Sequence, residues 1–345
     1  MQQDFSCFLN HREPPAGTTF AMNIAVVGAG ISGLAAARTL AQRGLKPVVL
    51  ESGSGPGGRC TTQEIGPYKF DSGATSIAPR GRSLEKVMLE ELPQEGLRQV
   101  ERPIWSMAFG RVSPGDAAKM AISRYVYEQG IVQLPKLLAH GLDVRYGVKV
   151  ETLAKEESGY LVNGEPFDAV VLSAPLPENA DLLAMVGEGW RIGGVRYRSC
   201  LSVLLGYEAE FDAPYHALID PEQRNPVIWV SAESVKSSGR APEGHSAFVV
   251  QMGARFSTEH FHDSDYEISR EAKIMMARLF GNAFETPSAM QVRRWLYSQP
   301  EISTSFENAN RNATSLILAG DALAGPRVEL AYEVGVRAAE YLLQK

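Results

Sequence analysis

The sequence predicts an α/β protein in which a dinucleotide-binding domain on a parallel sheet is interrupted by a second domain built on an antiparallel sheet and helices. Three observations carry this. First, the apolar run Ile24–Val27 passes through Gly28-Ala29-Gly30-Ile31-Ser32-Gly33 into a helical pattern with Leu34, Ala37, Leu40 and Ala41 on one side, giving strand, glycine turn and helix in order. Second, the valine-rich stretch 168–174 reads as a returning parallel strand, and another apolar stretch within 314–321 lies close to the C-terminus, so one sheet gathers strands from distant parts of the chain. Third, the short apolar stretches 201–207, 227–231, 247–252 and 290–297 suggest an antiparallel sheet, with a helix over 265–280 beside it.

Each glycine of the first turn has a separate task. Gly28 makes the tight turn, Gly30 lets the backbone approach a phosphate, and Gly33 lets the helix pack close to the sheet. The helix N-terminus then offers N–H groups and the positive end of its dipole to a pyrophosphate. Glu51 ends the next strand, 47–50, where its carboxylate accepts ribose hydroxyls and repels a 2′-phosphate; Ser52 follows it. Glycine triplets of this kind arise by chance, but strand, helix, second strand and acid here stand in the required order. A further glycine pair, Gly57-Gly58, and Arg59 come directly after.

That arrangement resembles the FAD-binding fingerprint of the glutathione reductase and amine oxidase superfamily, which implies a Rossmann-type FAD domain whose second glycine pair and arginine face the flavin diphosphate. Ala319-Gly320-Asp321 is similar to the superfamily's C-terminal strand, whose Gly-Asp contacts the ribityl-diphosphate part of FAD, and 147–150 to the strand that touches adenine through backbone at Val148. A capping role for Asp321 at a helix start is compatible with the same residues. From Met22 onward the chain most resembles the renalase group. Phe70-Asp71-Ser72-Gly73-Ala74, Tyr197-Arg198-Ser199-Cys200, the segment 294–300 and the closing pattern with Gly325, Val328-Glu329, Ala331 and 335–339 carry that likeness. By it, Gly73, Ala74, Val328 and Glu329 join the cofactor contacts. Departures fall where substrate would sit: Thr75-Ser76 replace a Gln and an aromatic residue, and 252–257 match only loosely a segment bearing Ser, Trp and Ser.

The resemblance implies oxidation of dihydronicotinamide (NAD(P)H isomer) substrates by hydride transfer to FAD, with dioxygen as acceptor. The cysteine motif that tethers flavin in monoamine oxidases has no counterpart near the C-terminus, which implies non-covalent FAD. The lysine that many amine oxidases hold over the flavin falls at 198–200, where there is none. Amine or amino-acid oxidation, desaturation, and a non-catalytic flavin-binding redox module remain the alternatives. Catalytic residues are not assigned. Along the last antiparallel strand Arg293, Trp295 and Tyr297 alternate onto one face, which makes Trp295 and Tyr297 pocket candidates, with Trp229 and Arg255 beside them, although aromatics on a sheet face also serve as core. Gly335, opening the side of the final helix, and Glu329 are expected near the flavin O2 end.

A chain of 345 residues suits two domains. The FAD-binding domain is expected over 22–85, 130–185 and 310–345, the substrate domain over 86–129 and 186–309, and a disordered leader over 1–21. Hydrophobic residues make up 44% and charged residues 21%, as in an ordinary globular protein; a net charge of −6 with dispersed basic residues argues against nucleic acid as a partner. Cys7, Cys60 and Cys200 form no disulfide framework or metal spacing, which suits a reducing cytoplasm. A redox role for Cys60 lacks a second cysteine nearby. His260 and His262 beside Asp263 read as a polar loop, not a metal site. No apolar run approaches the roughly 18 residues of a membrane span, and the first 21 residues lack the apolar core of a secretory signal.

Overall fold

The computed structural model describes residues 22–108, 111–116 and 121–344; the expected leader and Cys7 lie outside them. Five strands form a parallel sheet in the order Leu316–Leu318, Ala169–Leu172, Ile24–Val27, Val48–Glu51, Asp143–Tyr146. Its three inner strands are almost wholly apolar and buried, as a parallel sheet covered on both faces requires. The first helix, Ile31–Gln42, packs against the last, Val328–Leu343. Their crossing is so close that a Cβ on Gly335 would stand 2.0 Å from the Ser32 carbonyl oxygen. This corrects the expected place of Gly335. The helix opens at Val328, two turns earlier, and the glycine serves helix-to-helix contact. The stretch 147–150 is also corrected: the strand ends at Tyr146, and Val148 lies beyond it, its N–H donating to the Glu51 carbonyl at 2.9 Å.

The second sheet has seven strands, in the order Ala289–Ile302, Arg196–Tyr207, Ser246–Met252, Val227–Ala232, Ala217–Ile219, Ile104–Ala108, Arg111–Pro114. All neighbours are antiparallel except the pair Ala217–Ile219 and Ile104–Ala108. Side chains alternate between faces. Leu201, Val203, Leu205, Phe248 and Val250 share a core with Ile268, Ala272 and Met276 of the helix Asp265–Phe280. That helix has the predicted bounds because Ser264 and Glu267 form a reciprocal capping box at its start. The opposite face of the sheet looks toward the parallel-sheet half.

Between the two halves lies a wholly buried ion cluster. Asp71, at the end of the hairpin strand Tyr68–Asp71, accepts from Lys236 Nζ at 2.9 Å and from the Arg240 guanidinium at 2.9 and 3.1 Å, as well as from the backbone N–H of Ile131 at 2.8 Å. Glu233 takes Lys236 Nζ at 2.7 and 2.8 Å. Two carboxylates meet two cations, and all four side chains are 0% exposed.

His216, directly before the strand Ala217–Ile219, is 2% exposed, its Nδ1–H donating to the Arg102 carbonyl and its Nε2 without a partner among the described residues. Burial, with Lys236 and Arg124 adding to it, holds this imidazole down to about 4. Above its ordinary value of about 6.5 it is neutral in both folded and unfolded chains. Below that the unfolded chain takes up a proton that the folded chain refuses, so stability falls as pH drops from about 6.5 to about 4, by on the order of 3 kcal/mol. His216→Asn, which keeps a donor and cannot be protonated, is expected to flatten this stretch of the stability–pH curve in urea titrations. An unchanged slope would remove the assignment.

Candidate active site

A cleft of about 410 Å³ runs between the two halves. One end is made by the parallel sheet. Gly28 adopts φ +101°, a conformation open to glycine at low cost, and its N–H reaches the Leu50 carbonyl at 2.8 Å, which fixes the turn. A Cβ on Gly33 would lie 2.0 Å from the Gly28 oxygen, whereas one on Gly30 would meet nothing within 4 Å. The turn is therefore packed shut behind and open in front. The helix N-cap is Gly30, with no side chain to satisfy the first-turn N–H groups. Gly57 donates to the Ala29 carbonyl at 2.8 Å, which lays the second glycine pair against the first. Gly30, Ile31, Ser32, Gly57 and Gly58 all line the cleft.

Glu51 stands behind this turn at the end of its strand. Its Oε2 accepts from the Ala29 N–H and its Oε1 from the Gly53 N–H, each at 2.7 Å, while the Ser52 hydroxyl is 3.4 Å away. Gly28, Ala29, Gly33, Glu51, Ser52 and Val148 are not among the cleft-lining residues. Arg59 and Asp321, brought together from opposite ends of the chain, line the cleft as an ion pair. The guanidinium donates to both Asp321 oxygens at 2.6 and 2.9 Å, and the Tyr197 hydroxyl donates to the same carboxylate at 2.7 Å. Burial pulls the Arg59 guanidinium down, but Asp321 outweighs it and leaves the group above its ordinary value. Arg59 also donates to the carbonyls of Tyr297 and Ser298. Its charge is thus largely satisfied within the protein. Glu329 accepts the N–H groups of Arg80 and Gly81 in the first turn of the last helix. Gly73, Ala74, Gly320 and Val328 line the same cleft.

The other end is roofed by the seven-stranded sheet. Trp295 lines it and donates Nε1–H to the Ser72 carbonyl at 3.0 Å; Gln251 donates to the Gly73 carbonyl at 2.8 Å. From behind, Lys236 donates to the Thr75 carbonyl at 2.8 Å, so the segment 72–75 is pinned from two sides. Thr75 and Ser76 face the cleft, and so does Trp229, whose Nε1 is buried without a partner among the described residues.

Two expected pocket residues are elsewhere. Tyr297 does not follow Trp295 onto the cleft face. Trp295 pairs with Cys200 but Gln299 pairs with Arg198, so three residues oppose Ser199 alone, and the bulge breaks the alternation. Ser298 faces the cleft instead, and the Tyr297 ring packs edge-on against Tyr197 at 5.8 Å. Arg255 sits in the short helix Ala254–Glu259 with a 90% exposed side chain, paired with Glu259 one turn on, and does not line the cleft. Arg198, Gln251 and Gln299 line the roof end and were not singled out from sequence, although Arg198 and Gln299 lie inside segments quoted for the family likeness. Burial pushes the Cys60 thiol up to about 12, despite Arg59, and raises that of Cys200, so neither is poised as a thiolate. His260 bonds Asp263 at 2.6 Å in the turn before the long helix.

Residues 116–343 match the flavin containing amine oxidoreductase family, and residues 26–92 match the NAD(P)-binding Rossmann-like domain. The chain belongs to the flavin-containing amine oxidoreductase family. It is a flavin-dependent oxidoreductase, and its cofactor is FAD. Among curated proteins it is 37% identical over 89 residues to a zeta-carotene-forming phytoene desaturase of Myxococcus xanthus, covering 26% of this chain and 15% of the relative. It is 49% identical over 53 residues to a lysine-specific histone demethylase 1 homolog of Oryza sativa subsp. japonica, covering 15% of this chain and 7% of the relative. The matched stretch is thus a small part of either protein. Solved structures share the fold along nearly the whole chain. A protein of Exiguobacterium sp. assigned as a protoporphyrinogen oxidase superposes with a TM-score of 0.76 at 15% identity, over 94% of this chain and 99% of that one. Cyclohexylamine oxidase from Brevibacterium oxydans gives 0.72 at 14% identity over 94% and 99%. The open front of Gly30, the uncapped helix and Glu51 suit the diphosphate and ribose of this cofactor on physical grounds alone. No helix among the described residues is long and apolar enough to cross a membrane.

Proposed function

We propose that this chain oxidises a dihydronicotinamide by hydride transfer to non-covalently bound FAD, with dioxygen as the final acceptor. FAD, when bound, supplies a two-electron acceptor that takes up the hydride and is reoxidised. The turn from Gly28 to Gly33, through Gly30, Ile31 and Ser32, together with Gly57, Gly58 and the Gly320 turn, would hold its diphosphate, and Glu51 its ribose. The Arg59–Asp321 pair lines the same cleft.

One observation carries the substrate reading: among the described residues, neither Lys nor His lines the cleft, and both of its acids are already engaged. The roof sheet contributes Arg198, Trp229, Gln251, Trp295, Gln299 and small or apolar neighbours. The two acids, Asp321 and Glu329, are already engaged, the first by Arg59 and the Tyr197 hydroxyl and the second by two backbone N–H groups. An alkylamine is protonated at neutral pH, with a pKa of about 10, and must shed a proton before it can be oxidised. A general base for that step needs to stand within hydrogen-bond reach. A dihydropyridine needs none, because the ring nitrogen's lone pair drives out the hydride and a pyridinium forms with no proton lost. The aromatic faces of Trp229 and Trp295 suit such a planar ring.

Anaerobic mixing of the holoenzyme with dihydronicotinamide isomers is expected to bleach the flavin absorbance rapidly, and readmitted dioxygen to restore it with release of hydrogen peroxide. Faster bleaching by amines than by any dihydronicotinamide would overturn this reading.

A further inference from the structure

We infer that Arg198 is an anion-binding residue of the cleft and that the substrate presents a phosphate to it. The inference rests on the dihydronicotinamide reading for the oxidised ring and adds what the rest of the substrate must carry.

Arg198 lies near the start of the roof strand Arg196–Tyr207, beside the bulge, and lines the cleft. Its guanidinium donates to Gln299 Oε1 and, at 3.4 Å, to Gln223 Oε1. Both partners are neutral amides. They aim the group and leave its charge uncompensated. No carboxylate among the described residues lies within ion-pair distance of it. The other arginines of the cleft differ. Arg59 is neutralised by Asp321, Arg327 stands 3.4 Å from Glu329, and Arg80 is exposed to water. Arg198 is half-buried in the cleft with no acid within ion-pair distance among the described residues, so its charge is the one there that a ligand would balance.

A guanidinium has five N–H donors in a planar fork, and the two glutamines use two of them. The remaining donors match two oxygens of a phosphate. The same charge repels an ammonium group, which separates a nucleotide substrate from an amine.

The test compares dihydronicotinamide riboside, which has no phosphate, with its mononucleotide and dinucleotide, by stopped-flow reduction of the holoenzyme. A charge-assisted contact of about 1.5–3 kcal/mol corresponds to roughly 10- to 150-fold in affinity. The mononucleotide is therefore expected to bind the wild-type enzyme at least about tenfold more tightly than the riboside. In Arg198→Met that ratio should collapse toward one, and Arg198→Lys should recover part of it. Equal affinities of riboside and mononucleotide in wild type, or a full ratio retained in Arg198→Met, would overturn the inference. A second measurement keeps it separate from the ring chemistry and from misfolding: titration of wild-type holoenzyme with inorganic pyrophosphate, followed by tryptophan fluorescence. Saturable quenching that is weakened in Arg198→Lys supports the anion site even if no dihydronicotinamide reduces the flavin, an outcome that would fail the reading of the ring alone. Absence of pyrophosphate binding in wild type would count against the site.

Discussion

Asp71→Ala is expected to cost about 3–5 kcal/mol of stability, the range for removing one partner from a buried ion pair. The carboxylate takes hydrogen bonds from Lys236, both terminal nitrogens of Arg240, the Thr62 hydroxyl and the Ile131 N–H. Without it two cations remain in a site closed to water, with Glu233 as their only acid. Desolvation alone would raise the Asp71 pKa, but Lys236 and Arg240 hold it down to about 2. A depressed carboxylate contributes stability above its unfolded value of about 3.9, and that contribution is lost as pH falls from about 4 to about 2. Asp71→Asn should therefore lose the wild-type protein's pH dependence in that window. Urea titrations across pH 2 to 5 measure both effects. Because the cluster is neutral as a whole, Asp71→Asn combined with Lys236→Met should cost less than the sum of the single changes. A loss below about 1 kcal/mol for Asp71→Ala would show that water reaches the cluster after all.

This cluster also marks the limit of what could be read from the chain. The phosphate-binding turn was legible because its parts are consecutive: Gly28, Gly30 and Gly33 each meet a local geometric demand, and Glu51 follows at the next strand end. The helix Asp265–Phe280 was legible because its capping box lies within one turn. Asp71 and Lys236 are 165 residues apart, and nothing in either neighbourhood announces the other. Within the cluster only Glu233 and Lys236, one turn apart, are close in sequence. The bulge opposite Ser199 was hidden for a different reason. Strict alternation is the default of a strand, and the displaced register of 296–298 arises from pairing with a partner strand about a hundred residues earlier. Hence Trp295 lines the cleft and Tyr297 does not. Arg255 was misplaced because the loop after the strand Ser246–Met252 turns at once into a short helix that points its side chain to solvent. The Arg59–Asp321 pair shows the reverse case. Both residues are expected at the cofactor from their motifs, and the fold brings them together in the cleft wall as partners of each other.

Gly33→Ala and Gly30→Ala, the same chemical change three residues apart, are expected to fail in different ways. At Gly33 the new methyl group would lie 2.0 Å from the Gly28 oxygen and 2.5 Å from Ser173 Oγ. The first of these is backbone, held by the Gly28 N–H bond to Leu50, so it cannot rotate aside. Ser173 Oγ is itself fixed by bonds to the Val27 and Gly28 carbonyls at 2.8 and 3.1 Å. The helix tip must therefore move by more than an ångström, carrying its free N–H groups away from the phosphate position. Alanine's better helix propensity, about 1 kcal/mol over glycine, does not offset an overpacking cost of about 1–3 kcal/mol or more. Gly33→Ala should thus lower the thermal midpoint of the apoprotein and abolish flavin retention together. At Gly30 the methyl group meets no protein atom within 4 Å, so the apoprotein should melt as wild type does, while the methyl occupies the space the diphosphate needs and flavin content falls. The ratio of flavin to protein absorbance, measured beside the apoprotein melting curve, separates the two outcomes. Full FAD occupancy in Gly30→Ala would remove the diphosphate from the front of this turn, and a wild-type melting curve for Gly33→Ala would mean the turn yields where its backbone contacts say it cannot.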